Sequence, residues 1–99
     1  MVRHVILWKF KETLSAGERE QAALRIKREL EALAGQVDGM LDIQVSIRPI
    51  AGSNMDLMLD SSFVDEAALE GYQVFPAHLK VKEFVKAVTE SRACMDTAE

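Results

Sequence analysis

The stretch Val2-Arg3-His4-Val5-Ile6-Leu7-Trp8-Lys9-Phe10 decides the fold. Its parities separate as Val2, His4, Ile6, Trp8 and Phe10 against Arg3, Val5, Leu7 and Lys9. That is the two-residue period of a strand, whose successive side chains point to opposite faces. One face is apolar except for His4, and the other is half apolar. Both faces need cover, so the strand belongs in a sheet that is packed on each side.

The segments that follow supply the rest of the sheet and its helices. Lys11, Glu12 and Thr13 make a turn, and Ser15 with Glu18 spells a capping box, in which hydroxyl and carboxylate each satisfy a free N–H of a helix start. The spacing of Ala23, Ile26, Leu30 and Leu33 predicts a helix running to about Ala34 with one apolar stripe, and Gly35 reads as its left-handed cap. A second strand is expected over Met40 to Arg48, with Leu41, Ile43, Val45 and Ile47 alternating against Asp42, Gln44, Ser46 and Arg48, and Pro49 limits it. Ala51-Gly52-Ser53-Asn54 is a turn cluster, and so short a connection implies an antiparallel hairpin to a third strand, Met55 to Phe63. Asp65 caps a short helix ending at Tyr72. Pro76 opens another helix, because proline has no N–H to lose at a first helical position. There Val81, Phe84, Val85 and Val88 form a stripe, and Ser91 to Asp96 reads as a short closing strand.

The order is β-α-β-β-α-β with the second helical segment broken, an α+β, ferredoxin-like arrangement with a four-stranded antiparallel sheet. The helices cover one face and leave the other, with Val5 and Leu7, bare. A chain of 99 residues suits a single domain over 1–99 and buries only a modest share of its surface. A second copy packed sheet to sheet is the expected cover, giving a homodimer.

Composition narrows the partners. Twelve basic and sixteen acidic residues give a net charge of −4. The basic residues are interspersed with acidic ones on the helices, so no nucleic-acid partner is expected. No apolar run approaches the length of a membrane span, and no signal-peptide pattern opens the chain. Cys94 is the only cysteine, which rules out an intrachain disulfide and points to a reducing, cytoplasmic setting. No Cys/His spacing supports zinc, no glycine-rich loop cradles a phosphate, and Cys94 has no histidine partner nearby in sequence, so no metal and no cofactor is expected.

One segment joins helix punctuation to groups able to move a proton: Tyr72-Gln73-Val74-Phe75-Pro76-Ala77-His78. His78 falls in the first turn of the last helix, where the positive end of the helix dipole disfavours imidazolium and lowers the pKa. Tyr72, close across the break, offers a phenol donor. The two are the candidate catalytic pair, His78 as general base and Tyr72 as the donor to a developing enolate. His4, Ile6, Trp8, Leu57 and Leu59 are the candidate ligand-binding wall. The structural alternative is a packed tyrosine ring, a histidine that only caps the junction, and core residues everywhere else.

The opening His4-Val5-Ile6-Leu7-Trp8-Lys9-Phe10-Lys11, the pair Met55-Asp56, Phe63, the spacing Tyr72-x3-Pro76-x-His78 and Met95-Asp96 near the end together resemble the stress-responsive dimeric α/β-barrel family, Dabb. The resemblance covers nearly the whole chain. It implies a homodimer whose two sheets close into a barrel, with a pocket in each subunit between sheet and helices. Most members have no assigned reaction, while a plant branch contains cofactor-free polyketide cyclases with a Tyr/His acid–base pair that matches Tyr72 and His78. Phe75 stands where a histidine often precedes the proline, which argues against a two-histidine mechanism.

Three functions follow as expectations. The first is a stress-responsive dimer of unassigned activity that binds a small apolar ligand. The second is a cofactor-free cyclase, isomerase or monooxygenase acting on a ketone or phenolic compound. The third is a structural or interaction module without a pocket. An open cavity beside His78 separates the first two from the third.

Overall fold

A computed structural model describes residues 1–99. The chain runs β1 (Val2–Phe10), α1 (Ala16–Glu31), β2 (Met40–Ser46), β3 (Leu57–Phe63), α2 (Glu66–Gln73), α3 (Pro76–Val88) and β4 (Thr89–Ala98), the expected ferredoxin-like order. The sheet order is β2-β3-β1-β4, and every neighbouring pair is antiparallel. β1 lies inside the sheet, as its two half-apolar faces require. Val2, His4, Ile6, Trp8 and Phe10 are all buried beneath the helices.

The helices begin where local chemistry stops the strands. The Glu18 N–H donates to Ser15 Oγ at 3.2 Å, and the Ser15 N–H donates to Glu18 Oε1 at 2.8 Å, completing the capping box. α1 buries Ala22, Ala23, Ile26 and Leu30, while α3 buries Val81 and Val85 and packs Phe84 and Val88 against the same core. α1 also shields the sheet edge. Lys27 Nζ donates to the Val45 carbonyl at 2.6 Å, and the Val45 N–H donates to Glu31 Oε2 at 2.9 Å. Two backbone groups of β2 are thereby closed to another chain's strand.

Several boundaries differ from the sequence reading. α1 ends at Glu31 and is capped by Ala32. Leu33 and Ala34 follow in a tighter turn, donating to the Leu30 and Glu31 carbonyls, and Gly35 (φ 81°) lies beyond that turn. β2 stops at Ser46, and a bulge between Met40 and Asp42 breaks the strand's parity, so Leu41 is 55% exposed while Met40 turns toward the core. β3 starts at Leu57 because Asp56 serves as a clasp. Its N–H donates to the Trp8 carbonyl and its carboxylate accepts from the Phe10 N–H, each at 2.8 Å. β4 is longer than expected, since it leaves α3 directly and pairs along the whole of β1.

The face away from the helices carries Val5 and Leu7 on β1, paired with Met95 and Ala93 on β4, and Leu7 also faces Met58 on β3. Met95 is 69% exposed. Beside this apolar strip Arg3 grips Asp60 with two donors, Nε to Oδ1 at 3.0 Å and a terminal nitrogen to Oδ2 at 2.6 Å. The pair holds the Asp60 carboxyl below the usual carboxylate range. No helix is long and apolar enough to cross a membrane.

Candidate functional site

The site is built at the break between α2 and α3. The Asp65 carboxylate accepts from the Ala68 N–H at 2.9 Å and starts α2. α2 ends at Gln73, the Phe75 N–H returns to the Tyr72 carbonyl at 3.1 Å, and Pro76 restarts the helix at once. The junction is therefore too short to separate Tyr72 from the first turn of α3. Tyr72 and His78 come together with ring centroids 4.2 Å apart.

Tyr72 is fully enclosed. Its ring packs on Phe63 at 5.3 Å and meets the edge of His4 at 6.1 Å. Its hydroxyl has no hydrogen-bond partner, and neither does the buried Nδ1 of His78. A buried polar atom left unpaired costs about 1–3 kcal/mol, so two of them in one ring pair need a reason other than stability. Burial pushes the Tyr72 phenol well above its ordinary range and keeps it protonated. Burial also lowers the His78 pKa below 6.5, with the charges of Lys82 and His4 adding to the effect and the nearby Gln73 backbone opposing it. The direction is the one expected from the helix terminus, but desolvation is its largest cause. A neutral imidazole thus stands beside a protonated phenol, the starting state for a base and a hydrogen-bond donor.

These rings line a cavity of about 630 Å³ between α3 and the β1/β4 side of the sheet. Ile6, Trp8, Leu30 and Leu59 form its apolar floor. His78, Lys82, Val85 and Lys86, one face of α3, form a wall, and Thr89 to Arg92 at the start of β4 close the opposite side. None of Lys82, Lys86, Glu90 and Arg92 takes part in a salt bridge. The cavity is therefore apolar at its base and carries three cationic groups against one carboxylate at its rim.

Of the residues expected from sequence, Tyr72, His78, Ile6, Trp8 and Leu59 meet at this cavity. His4 and Leu57 do not line it, although both are on the correct face of the sheet. Leu57, opposite Trp8, is enclosed in the core with 2% of its surface exposed. His4 is buried behind Tyr72, with Nδ1 2.5 Å from Asp96 Oδ1 on β4. The sequence reading missed Leu30, which it assigned only to the core stripe of α1, together with Gln73, Lys82, Val85, Lys86 and the start of β4. The α3 members were detectable, since positions 78, 82, 85 and 86 share a helix face, whereas nothing local marks the β4 residues.

A family model described as "Stress responsive A/B Barrel Domain" (Dabb) matches residues 2–99. No curated protein sequence matches the chain. Among solved structures, a dimeric ferredoxin-like protein of unknown function from Bacteroides fragilis is 25% identical, with a TM-score of 0.91 over 97% of this chain and 93% of that one. A dimeric ferredoxin-like protein from Thermobifida fusca, also of unknown function, is 16% identical, with a TM-score of 0.84 over 99% of this chain and 90% of that one. The hydroxynitrile lyase from Passiflora edulis is 15% identical, with a TM-score of 0.77 over 97% of this chain and 90% of that one. With the family match spanning all but the first residue and the ferredoxin-like sheet in place, the chain belongs to the stress responsive A/B barrel (Dabb) family.

Proposed function

We propose that this protein is a homodimer joined through its open sheet face, and that the cavity in each subunit binds a small, largely apolar carbonyl or phenolic compound. His78 acts there as a cofactor-free general base, and Tyr72 donates a hydrogen bond to the oxygen that gains charge. The observation that carries the reading is the pair of unpartnered polar atoms, Tyr72 OH and His78 Nδ1, on residues that line a cavity with an apolar floor. A ligand oxygen or an acidic C–H supplies what each lacks. At polar atoms buried as these are, a hydrogen bond to an enolate is worth more than in water.

The dimer is supported by the apolar strip of half-buried Val5 and Leu7 with exposed Ala93 and Met95, and by the dimeric state of the Bacteroides fragilis and Thermobifida fusca neighbours. The basic rim of Lys82, Lys86 and Arg92 favours ligands whose solvent-facing end is acidic. A stress-linked role rests on family membership alone.

The test is a screen of small ketones and phenols against the wild type, His78→Ala and Tyr72→Phe, scored for binding and for exchange of an acidic C–H with deuterated solvent. Binding with exchange that His78→Ala abolishes supports the full reading. Binding without exchange leaves a ligand-binding protein of unassigned activity, and no binding by any compound favours a structural module.

A further inference from the structure

Cys94 and Asp96 alternate along β4, so both side chains lie on the helix-side face of the sheet. The register sets Asp96 directly opposite His4 and Cys94 opposite Ile6. Three donors from opposite ends of the sequence are thereby gathered at one edge: an imidazole, a thiol and a carboxylate, with their ligand atoms all within 4.8 Å of one another.

From these residues we propose a binding site for a thiophilic divalent cation, zinc being the best match, held by His4 Nδ1, Cys94 Sγ and an Asp96 oxygen, with a fourth position open to water. Tetrahedral zinc with ordinary bond lengths places sulfur about 3.5 Å from the nitrogen and oxygen ligands, and those two about 3.4 Å from each other. Cys94 Sγ is 3.6 Å from Asp96 Oδ1 and 3.9 Å from His4 Nδ1, so sulfur already stands near its coordination distance from both. Only the 2.5 Å separation of His4 Nδ1 and Asp96 Oδ1 must widen. Asp96 can supply that movement, since its side chain is 37% exposed on an edge strand while His4 is fixed in the core. Cys94 is exposed too, so an ion reaches the cluster from solvent.

The ligand types select the metal. A thiolate with an imidazole and one carboxylate suits zinc, whereas magnesium and calcium want oxygen alone. Binding sends the thiol proton to solvent and needs the neutral His4 imidazole with its N–H on Nε2, so that Nδ1 faces the metal and a thiolate and a carboxylate balance the two positive charges. Burial first and the Asp96 charge next hold the Cys94 thiol above its ordinary range, with Arg92 working against them, so it is the cation's own charge that draws off the thiol proton. The site is separate from the Tyr72/His78 cavity, which neither Cys94 nor Asp96 lines.

The experiment uses tag-free, chelator-stripped protein titrated at neutral pH with cobalt(II) as the optical probe, then with zinc in competition. The wild type should bind one cobalt per chain, show a thiolate-to-cobalt charge-transfer band with the visible absorption of four-coordinate cobalt, and release it to zinc. Cys94→Ser should lose the charge-transfer band and weaken zinc binding about tenfold or more, and Asp96→Asn should keep the band with reduced affinity. Both substituted positions are exposed, so the variants should fold, as circular dichroism will verify. The proposal is overturned if stripped protein takes up no cobalt, if the band survives in Cys94→Ser, or if magnesium displaces cobalt as readily as zinc does.

Discussion

The phenol of Tyr72 lies against the imidazole of His78 with ring centroids 4.2 Å apart and planes 34° from parallel, and neither Tyr72 OH nor His78 Nδ1 has a hydrogen-bond partner. A sequence chosen for stability alone would place phenylalanine or leucine at these positions. The arrangement departs from local stability at one place, beside an open cavity, as functional sites characteristically do.

The first consequence is a pH dependence of stability. His78 has its pKa lowered below 6.5 by burial first, so at low pH the unfolded chain binds a proton more readily than the folded one. Its contribution is full above the unfolded value and is lost as pH falls from about 6.5 through the lower folded value. Thermal midpoints measured from pH 7.5 down to 5 should therefore drop more steeply for the wild type than for His78→Gln. Parallel curves would mean that His78 titrates as it would in water.

A second prediction concerns the support of α2. Gly39 has φ 79°, and a Cβ there would stand 2.6 Å from Ala68 Cβ, where the entry to β2 presses on the helix that carries Tyr72. Gly39→Ala should lose about 2–5 kcal/mol, overpacking of about 1–3 kcal/mol added to left-handed strain of about 1–2 kcal/mol. Gly35, at φ 81°, has open space around it, so Gly35→Ala carries the left-handed conformational cost alone and should lose about 1–2 kcal/mol. Denaturant midpoints for the two variants give the comparison, and equal losses would remove the steric argument.

The degree to which this molecule was legible beforehand follows the range of each interaction. Ser15 with Glu18, Asp65 and Pro76 act within one helical turn, and each does in the structure what its local chemistry implies. Leu41 was misplaced because a bulge shifts parity without leaving a mark in the alternation. Strand parity placed His4 and Leu57 on the correct face, but it cannot tell which part of that face a helix seals and which part a cavity reaches. The approach of Cys94 and Asp96 to His4 depends on pairing between the first and last strands, so no spacing announces it.

Leu7 tests the open face. It sits between Met58 and Ala93 in the middle of the apolar strip, so Leu7→Lys would bury an unpaired charge in a sheet-to-sheet contact. Sedimentation equilibrium should show wild-type dimer and at least a tenfold weaker association for the variant, equivalent to about 1.4 kcal/mol or more. The variant should also melt earlier, because dissociation removes the stabilisation that binding gives the folded state. A Leu7→Lys monomer as stable as the wild type would show that the fold does not depend on this contact.

Tyr72→Phe separates function from folding most sharply. The substitution keeps the ring that packs on Phe63 and His4 and deletes only a buried hydroxyl without a partner. No internal hydrogen bond is lost and a desolvation cost is removed, so stability should hold or rise by about 1 kcal/mol. Solvent-exchange activity on a bound ketone, by contrast, should fall about a hundredfold or more, the usual consequence of losing one donor to a developing oxyanion. A fall in stability together with unchanged exchange would make the hydroxyl a structural group and leave His78 without its proposed partner. The expected pattern, a variant at least as stable and much less active, arises only if the phenol is held unpaired for a ligand.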